Sequence, residues 1–377
     1  MTEPSPPSTR PFDCRSCGRP YPDAGHPHQC PHCGGVYDFR NPLSYSPLDM
    51  PGEPTRGLER YRRTFPLSRE APLISLGEGG TPLSHLEVDG RIVYLKNEQL
   101  NPTGSFKDRG TAVLLSALAA EGVAEAVEDS SGNAGASFAA YASRAGWKVR
   151  VFVPDYAAGP KRHQIESYGA EVVRILGPRS AATEAVLAEA ERGTVYASHA
   201  HLPHGLAGMA TLAFELYEQL GQAPGALIIP VGQGTLMLGA YRGFKALQAS
   251  GCIDRLPRMI AVQAMACAPL WAVHTGGAAA LQWIKERETV AEGIRILRPH
   301  RGDDILAAVE GTQGAVVAVE EAEILSGREE LARRGFFVEP TSAVVWPALL
   351  QHLAEVPDPV VLVLTGSGLK DPRNAFA

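Results

Sequence analysis

The stretch NPTGSFKDRG, residues 101–110, lies between an apolar run and an alanine- and leucine-rich segment. Its proline and first glycine predict a turn, and Ser105 predicts a helix N-cap, with Asp108 three residues later. Lys107 then falls in the first helical turn, where the helix dipole opposes a positive charge. Such a lysine is favoured as the neutral amine, the form that adds to a carbonyl group. Considered alone, a surface lysine at a helix start is the commoner interpretation.

From about residue 71 onward, short β-branched runs alternate with alanine-rich segments of helical periodicity. This alternation predicts an α/β protein with parallel sheets that carry helices on both faces. Ligands of such sheets bind beyond the carboxyl ends of the strands. Strands are predicted over 91–96, 148–154, 171–176, 226–231, 259–264 and 359–366, and helices over 134–146, 180–193 and 208–221.

Three more loops suit the binding of one small ligand. SSGNAG, residues 130–135, offers Ser130, Ser131 and Asn133 at the start of a predicted helix, although it could equally be a helix cap. VGQGTL, residues 231–236, can fold backbone N–H groups around an anion at a helix start.

The third of these loops lies near the C-terminus. LTGSGLKD, residues 364–371, follows a predicted buried strand, so Thr365 or Ser367 would present a hydroxyl to the same cleft. A hydroxyl there suits an uncharged ring nitrogen. We predict two lobes, over 71–205 with Lys107 and over 206–377 with the glycine loop, with parts free to change lobes.

Four of the six cysteines are crowded near the N-terminus. Cys14, Cys17, Cys30 and Cys33 form two Cys-x-x-Cys pairs, each followed by glycine. Four thiolates satisfy tetrahedral zinc and leave no open position, so a structural zinc ribbon is predicted over 13–40. Histidines 26, 28 and 32 could replace a thiolate, but two complete pairs make that unnecessary. We expect the ribbon to stabilise the protein or to dock a partner.

Composition excludes several classes. The formal net charge is −6, with 35 basic and 41 acidic residues, which gives no general reason to expect nucleic acid or an anionic membrane as a partner. Residues 1–12 lack the apolar core of a secretory signal, and no run is long enough to span a bilayer. We therefore expect a soluble cytoplasmic protein with a disordered tail over 1–12 and an ordered linker over 41–70 that packs on the body.

Together these segments resemble the threonine synthase family of pyridoxal-phosphate enzymes, which share their fold with serine/threonine dehydratases and the tryptophan synthase β-chain. The similar segments are GEGGTPL (77–83), KNEQLNPTGSFKDRG (96–110), SSGNAGAS (130–137), VGQGTL (231–236), TVAEGIRI (289–296), EPTSA (339–343) and LTGSGLKD (364–371). Some family members also carry an N-terminal zinc ribbon. The resemblance extends from about residue 71 to the end of the chain.

The resemblance assigns roles to individual residues. Lys107 matches the lysine that binds pyridoxal phosphate as a Schiff base and moves protons, and Asn133 matches the asparagine that bonds the ring oxygen of the cofactor. Thr365 matches the hydroxyl that faces the pyridine nitrogen, while Ser130 and Ser131 match the region that holds the substrate carboxylate. The phosphate loop of the cofactor is matched by Gly232, Gln233, Gly234 and Thr235. The implied activity is a lyase acting on O-phosphohomoserine or a related γ- or β-substituted amino acid by elimination and water addition, in threonine biosynthesis.

The chain departs from the family where the substrate phosphate is bound. The family segment NPxRxEGQKT reads LPHGLAGMAT at 202–211, with Gly205 in place of arginine and Ala210 in place of lysine. Leu236 stands where many members have asparagine, and Ser367 replaces the histidine of TGHG. Losing a bidentate arginine and an amide is hard to reconcile with an unchanged phosphorylated substrate.

Alternatives remain open from the sequence. Histidines 199, 201 and 204 could compensate for the lost cations, although we favour their interpretation as ordinary loop residues. A serine/threonine dehydratase or another amino-acid ammonia-lyase fits the same cofactor residues. A non-catalytic cofactor-binding protein that uses the ribbon for interaction is the alternative from another class. A homodimer is expected by resemblance alone.

Overall fold

The computed structural model describes residues 9–48, 57–157 and 159–371. Two sheets with helices on both faces form the body, as the alternating pattern predicted. Residues 1–8 of the predicted tail lie outside the described range, whereas Phe12 at its end belongs to a strand and is buried. Within the described ranges, no helix is long and apolar enough to cross a membrane.

The N-terminal segment forms a small unit on the body. Strands β1 (Phe12–Cys14) and β2 (Tyr37–Phe39) pair antiparallel. Between them and the body, the buried Asp38 carboxylate accepts hydrogen bonds from Arg242 and Arg301. In the segment predicted as a packed linker, residues 49–56 lie outside the described range, and a 3-10 helix over Gly57–Thr64 buries Leu58 and Tyr61.

The larger sheet has six strands. They are β3 (Leu83–Val88), β4 (Arg91–Lys96), β9 (Ala226–Pro230), β10 (Arg258–Ala264), β11 (Ala315–Val319) and β12 (Val360–Val363). Their order is β11-β10-β9-β12-β4-β3, and all neighbours are parallel except β3 and β4, which pair antiparallel. Side chains of β9 alternate between two cores: Leu227 and Ile229 contact one, Ala226 and Ile228 the other.

The smaller sheet has four parallel strands. They are β5 (Glu125–Glu128), β6 (Lys148–Pro154), β7 (Glu171–Ile175) and β8 (Val195–Tyr196), in the order β7-β6-β5-β8. The lobe boundary that we predicted at residue 205 stays a prediction. Because β4 pairs with β12 from the second half of the chain and β3 pairs with β4, residues 83–96 belong to the larger sheet, an exchange that our prediction allowed.

Helices cover both sheets. They are α1 (Lys107–Ala120), α2 (Asn133–Arg144), α3 (Pro160–Ser167), α4 (Arg179–Glu191), α5 (Gly205–Leu220), α6 (Thr235–Ala249), α7 (Pro269–Gly276), α8 (Gly302–Gly311), α9 (Glu321–Arg333), α10 (Pro340–Ala343) and α11 (Val345–His352). The first three turns of α5 are entirely buried. This helix packs closely on α1, since a Cβ atom at Gly208 would lie 2.0 Å from the Arg109 carbonyl oxygen.

One buried ionic network joins these layers. The Arg109 guanidinium is fully buried and lies 2.6 Å from Glu98 and 2.7 Å from Glu215. Glu215 also lies 2.6 Å from the buried Lys96 amine at the end of β4. Two positive and two negative groups thus neutralise one another, and α1, α5 and β4 are held together by charges that water cannot reach.

Replacing Arg109 with methionine keeps the side-chain volume roughly similar but leaves two buried carboxylates with one cation between them. We expect Arg109→Met to lower the free energy of unfolding by about 3–5 kcal/mol. The exposed Arg144 at the end of α2 offers a control, and Arg144→Met is expected to change the free energy of unfolding by less than about 0.5 kcal/mol. Urea unfolding of the two variants measures the difference, and equal losses would contradict the role given to the network.

Candidate active site

The N-terminus of α1 carries Lys107 as its first helical residue. The predicted Ser105 cap is wrong, because no side chain caps this helix and its N-cap residue is Phe106. Asp108 instead accepts hydrogen bonds from Thr103 N (2.7 Å) and Thr103 Oγ1 (2.6 Å) in the preceding turn, and from Ser137 Oγ (2.7 Å) in α2. This carboxylate therefore fixes the turn that aims Lys107.

The Lys107 amine points into the cleft between the sheets. Its Nζ atom lies 2.5 Å from Nε2 of His199, a residue in the loop that follows β8. Burial lowers the pKa of Lys107 from 10.5 to about 7, although the charges of Glu128 and Glu339 oppose this. A substantial fraction of this amine is therefore neutral near pH 7, and the cause is burial rather than the helix dipole named in the sequence prediction.

Glu128 ends β5 directly behind His199. Its carboxylate is 2 % exposed, accepts a hydrogen bond from Ser130 N, and lies 3.8 Å from His199 Nδ1. Burial raises the pKa of Glu128 to about 8, and the neighbouring Asp129 adds to the rise. Burial also lowers the pKa of His199 well below its usual value. The three groups therefore lie in a row, Lys107–His199–Glu128, with a neutral imidazole between the amine and the carboxyl group.

Asn133 begins α2 on another side of the same cleft. Its Nδ2 donates to Glu339 Oε1 at 2.7 Å, and Glu339 in turn lies 2.8 Å from the Lys161 amine. The Oδ1 atom of Asn133 is buried and has no hydrogen-bond partner among the described residues. A free, buried amide oxygen beside a cleft is a ready contact for a bound polar group.

Thr365 follows β12 and adjoins the start of α1, since its carbonyl accepts from Phe106 N at 3.0 Å. Its own N–H donates to Ser342 Oγ at 2.9 Å. The Thr365 hydroxyl is buried and, in the part of the chain that is described, lacks a partner. The same holds for the Ser105 hydroxyl. These orphaned hydroxyls lie on neighbouring segments, because Ser105 and Gly366 form a β-bridge.

The glycine loop over 231–236 leads into α6, which begins at Thr235 with Gly234 as its N-cap. Gly234 has a φ of +76° and stands so close to Ile305 that a Cβ atom would clash. Gln233 Oε1 accepts from His300 N at 3.1 Å, which ties the loop to the segment before α8. The free N–H groups at the start of this 15-residue helix can bind an anion.

Three of the departures from the family pattern are buried. A Cβ atom at Gly205 would lie 3.0 Å from the Gly110 carbonyl oxygen, so a larger residue there requires α1 and α5 to move slightly apart. Ala210 is 0 % exposed and Leu236 2 %, both within the apolar core. The site therefore has no cation at positions 205 or 210.

A cavity of about 420 Å³ opens beside Glu339 and Lys161. Four other carboxylates line it, those of Glu288, Glu292, Glu321 and Asp371. Glu339, which accepts a hydrogen bond from Asn133, links this cavity to the start of α2.

Three of the groups just described were missed in the sequence. His199 was interpreted as a loop residue, and Glu128 and Glu339 received no role. A signal for Glu128 existed, since a carboxylate that ends a buried parallel strand faces the ligand edge of the sheet. Glu339 lies in the quoted EPTSA segment.

Comparison with known proteins agrees with this geometry. Residues 74–366 match the family described as pyridoxal-phosphate dependent enzyme. A threonine synthase from Methanocaldococcus jannaschii is 35% identical, covering 96% of this chain and 93% of that protein. A threonine synthase from Synechocystis sp. is 40% identical over 85% of each chain.

Solved structures share the fold. A threonine deaminase from T.th. superposes with a TM-score of 0.63 at 29% identity, covering 76% of this chain and 92% of that one. Maize serine racemase gives a TM-score of 0.66 at 22% identity, covering 76% and 88%. A match over most of the chain, together with relatives above 30% identity, decides the family. The chain belongs to the pyridoxal-phosphate dependent enzymes, with threonine synthases among its relatives.

Proposed function

We propose that this enzyme is a lyase of threonine synthase type that converts O-phosphohomoserine, or a related γ- or β-substituted amino acid, by elimination and addition of water. The observation that carries the proposal is the Lys107 amine, with a pKa of about 7, at the start of α1 beside Thr365. The relatives named threonine synthase support the choice of reaction.

The residues present fit pyridoxal phosphate. We assign Lys107 to the Schiff base, the Asn133 amide to the ring oxygen, and the orphaned Thr365 hydroxyl to the ring nitrogen. Gly232, Gln233, Gly234 and Thr235, at the positive end of α6, are assigned to the cofactor phosphate. When bound, the cofactor spreads the negative charge that forms when a proton leaves the substrate α-carbon.

The chain supplies binding and proton movement. Ser130 and Ser131, before α2, lie where backbone N–H groups of a helix start can hold the substrate carboxylate. Lys107 removes the α-proton, because its depressed pKa leaves the amine free to accept it. The nearby buried helices α1 and α5 exclude water from the back of the site.

A second candidate is an ammonia-lyase that acts on serine or threonine. The packing favours it in one respect: Gly205, Ala210 and Leu236 leave no donor where the family binds a substrate phosphate. The T.th. threonine deaminase, at 29% identity, has the same fold.

Incubation of the cofactor-loaded enzyme with O-phospho-L-homoserine, L-threonine and L-serine separately tests the proposal. We expect phosphate and threonine to appear in equal amounts from the first. Release of a 2-oxo acid from threonine or serine, with no phosphate from the first, would establish the second candidate. No product from any of the three would favour a non-catalytic binding protein. Lys107→Ala is expected to lower turnover by at least about 10²–10⁴-fold, whereas the exposed Lys148→Ala should retain it.

We also propose that the N-terminal unit binds one structural zinc ion. The sulfur atoms of Cys14, Cys17, Cys30 and Cys33 all lie within 4.8 Å of one another. The Cys14–Cys33 and Cys17–Cys30 sulfur pairs are 3.5 and 3.8 Å apart. Tetrahedral zinc with bonds of about 2.3 Å requires sulfurs about 3.8 Å apart, so this arrangement suits the metal. Among described residues, no histidine belongs to the cluster.

Metal analysis of the purified chain is expected to give about one zinc ion per chain. Cys17→Ser should lose the metal and unfold at a lower temperature, because the free energy of metal binding is part of the free energy of folding at a structural zinc site. Cys252→Ser, which changes a cysteine outside the cluster, should retain it. Full zinc content in Cys17→Ser would contradict the site. A homodimer and a cytoplasmic location stay predictions.

A further inference from the structure

The loop between β8 and α5 brings His199 into the site. Its Nε2 lies 2.5 Å from Lys107 Nζ. The imidazole is largely buried, with 19 % of the side chain exposed. Neither the glycine loop nor the other predicted site residues contact Lys107 so closely among the described contacts. His199 is therefore the immediate partner of the proposed catalytic amine.

The imidazole has a defined orientation. When Lys107 is an ammonium it has only N–H donors, so His199 Nε2 must accept and Nδ1 carries the proton. That Nδ1 is buried, lacks a hydrogen-bond partner in the described structure, and lies 3.8 Å from Glu128 Oε1. Glu128 is itself held by Ser130 N. The Glu128 carboxylate, in its ionised form, would stabilise a second proton on the imidazole.

Elimination of a γ-substituent requires two protons to leave, one from the α-carbon and one from the β-carbon. One amine cannot hold both and still act as a base. We propose that His199 is a second acid–base residue, which takes the first proton from Lys107 Nζ, and that Glu128 is a positioning residue for its ring. This inference rests on the proposed function.

The proton transfers balance. Lys107 takes the α-proton, one N–H bond of its ammonium breaks, and a new N–H bond forms at His199 Nε2. The restored amine then takes the β-proton. After the leaving group departs with its electron pair, the two stored protons return to the γ- and α-carbons, and the proton of the added water leaves with phosphate.

Several charged or titratable groups surround this pair. They are Glu128 and Asp129 at the end of β5, Arg179 at the start of α4, Glu339 before α10, and the imidazoles of His201 and His300. The charge of Glu128 raises the pKa of Lys107, so removing it lowers the pH at which the amine becomes neutral.

The test compares His199→Asn, Glu128→Gln and the control His201→Asn in cofactor-loaded enzyme with O-phospho-L-homoserine in D₂O. His201 lies two residues further along the loop and packs on His28 and His300. We expect His199→Asn to keep most of the exchange of the substrate α-hydrogen, while phosphate release falls about 10²–10⁴-fold. Glu128→Gln should move the rising limb of the pH profile to lower pH. His201→Asn should leave the shape of the profile unchanged.

A second measurement does not depend on turnover. The ¹⁵N shifts of the imidazole that disappears in His199→Asn report which ring nitrogen carries the proton, and we expect Nδ1–H. A proton on Nε2 instead of Nδ1 overturns the proposal. Phosphate release at the wild-type rate by both His199→Asn and His199→Gln also overturns it, as does a loss of phosphate release in His201→Asn equal to that in His199→Asn. The proposal is also overturned if His199→Asn slows α-hydrogen exchange and phosphate release by the same factor. If the wild-type enzyme releases no phosphate, the proposed function fails, whereas the imidazole shifts still test the Lys107–His199 pair.

Discussion

The fully buried Arg109 guanidinium, shared between Glu98 and Glu215, is the contact on which the site depends. Glu98 follows β4 and Glu215 lies in α5, so this one side chain fixes α1 against the larger sheet and against its neighbouring helix. Arg109 stands two residues after Lys107. A charge that cannot be left unpaired in the interior therefore determines where the reactive amine lies.

The same packing shapes the rest of the cleft. Because α1 and α5 approach at Gly205 and Gly208, the start of α5 offers backbone rather than cationic side chains. The neighbouring loop supplies His199 instead, and it rests on the ribbon: the His204 ring lies 4.6 Å from that of Phe12, and Arg301 donates both to the Tyr37 carbonyl (2.7 Å) and to the His201 carbonyl (3.1 Å). The N-terminal unit is thus part of the support of the site.

Several strands and the position of Lys107 at a helix start could be predicted from the sequence. The β-branched runs predicted β4 and β6 at their observed limits, because a buried parallel strand reads as a continuous apolar stretch between turns. The position of Lys107 at a helix start also follows from a local pattern. The Ser105 cap failed because Asp108 bonds back to Thr103, an alternative that the capping pattern does not exclude.

The remaining features depend on contacts between distant residues. Nothing local indicates that Arg109 meets Glu215, that β3 and β4 join the strands of the second half, or that His199 reaches Lys107. The only local indication of a role for Glu128 is its position as the last residue of a strand. These contacts join residues far apart in the chain, and a single sequence does not specify them.

The central claim is that this packing selects Lys107 from the seven lysines of the chain to bind the cofactor. Borohydride reduction of the protein loaded with pyridoxal phosphate, followed by peptide mass spectrometry, locates the pyridoxyl group. We expect a single modified peptide that contains Lys107. Modification of Lys161 or Lys370, the other buried or partly buried amines near the cleft, with Lys107 unmodified, would contradict it.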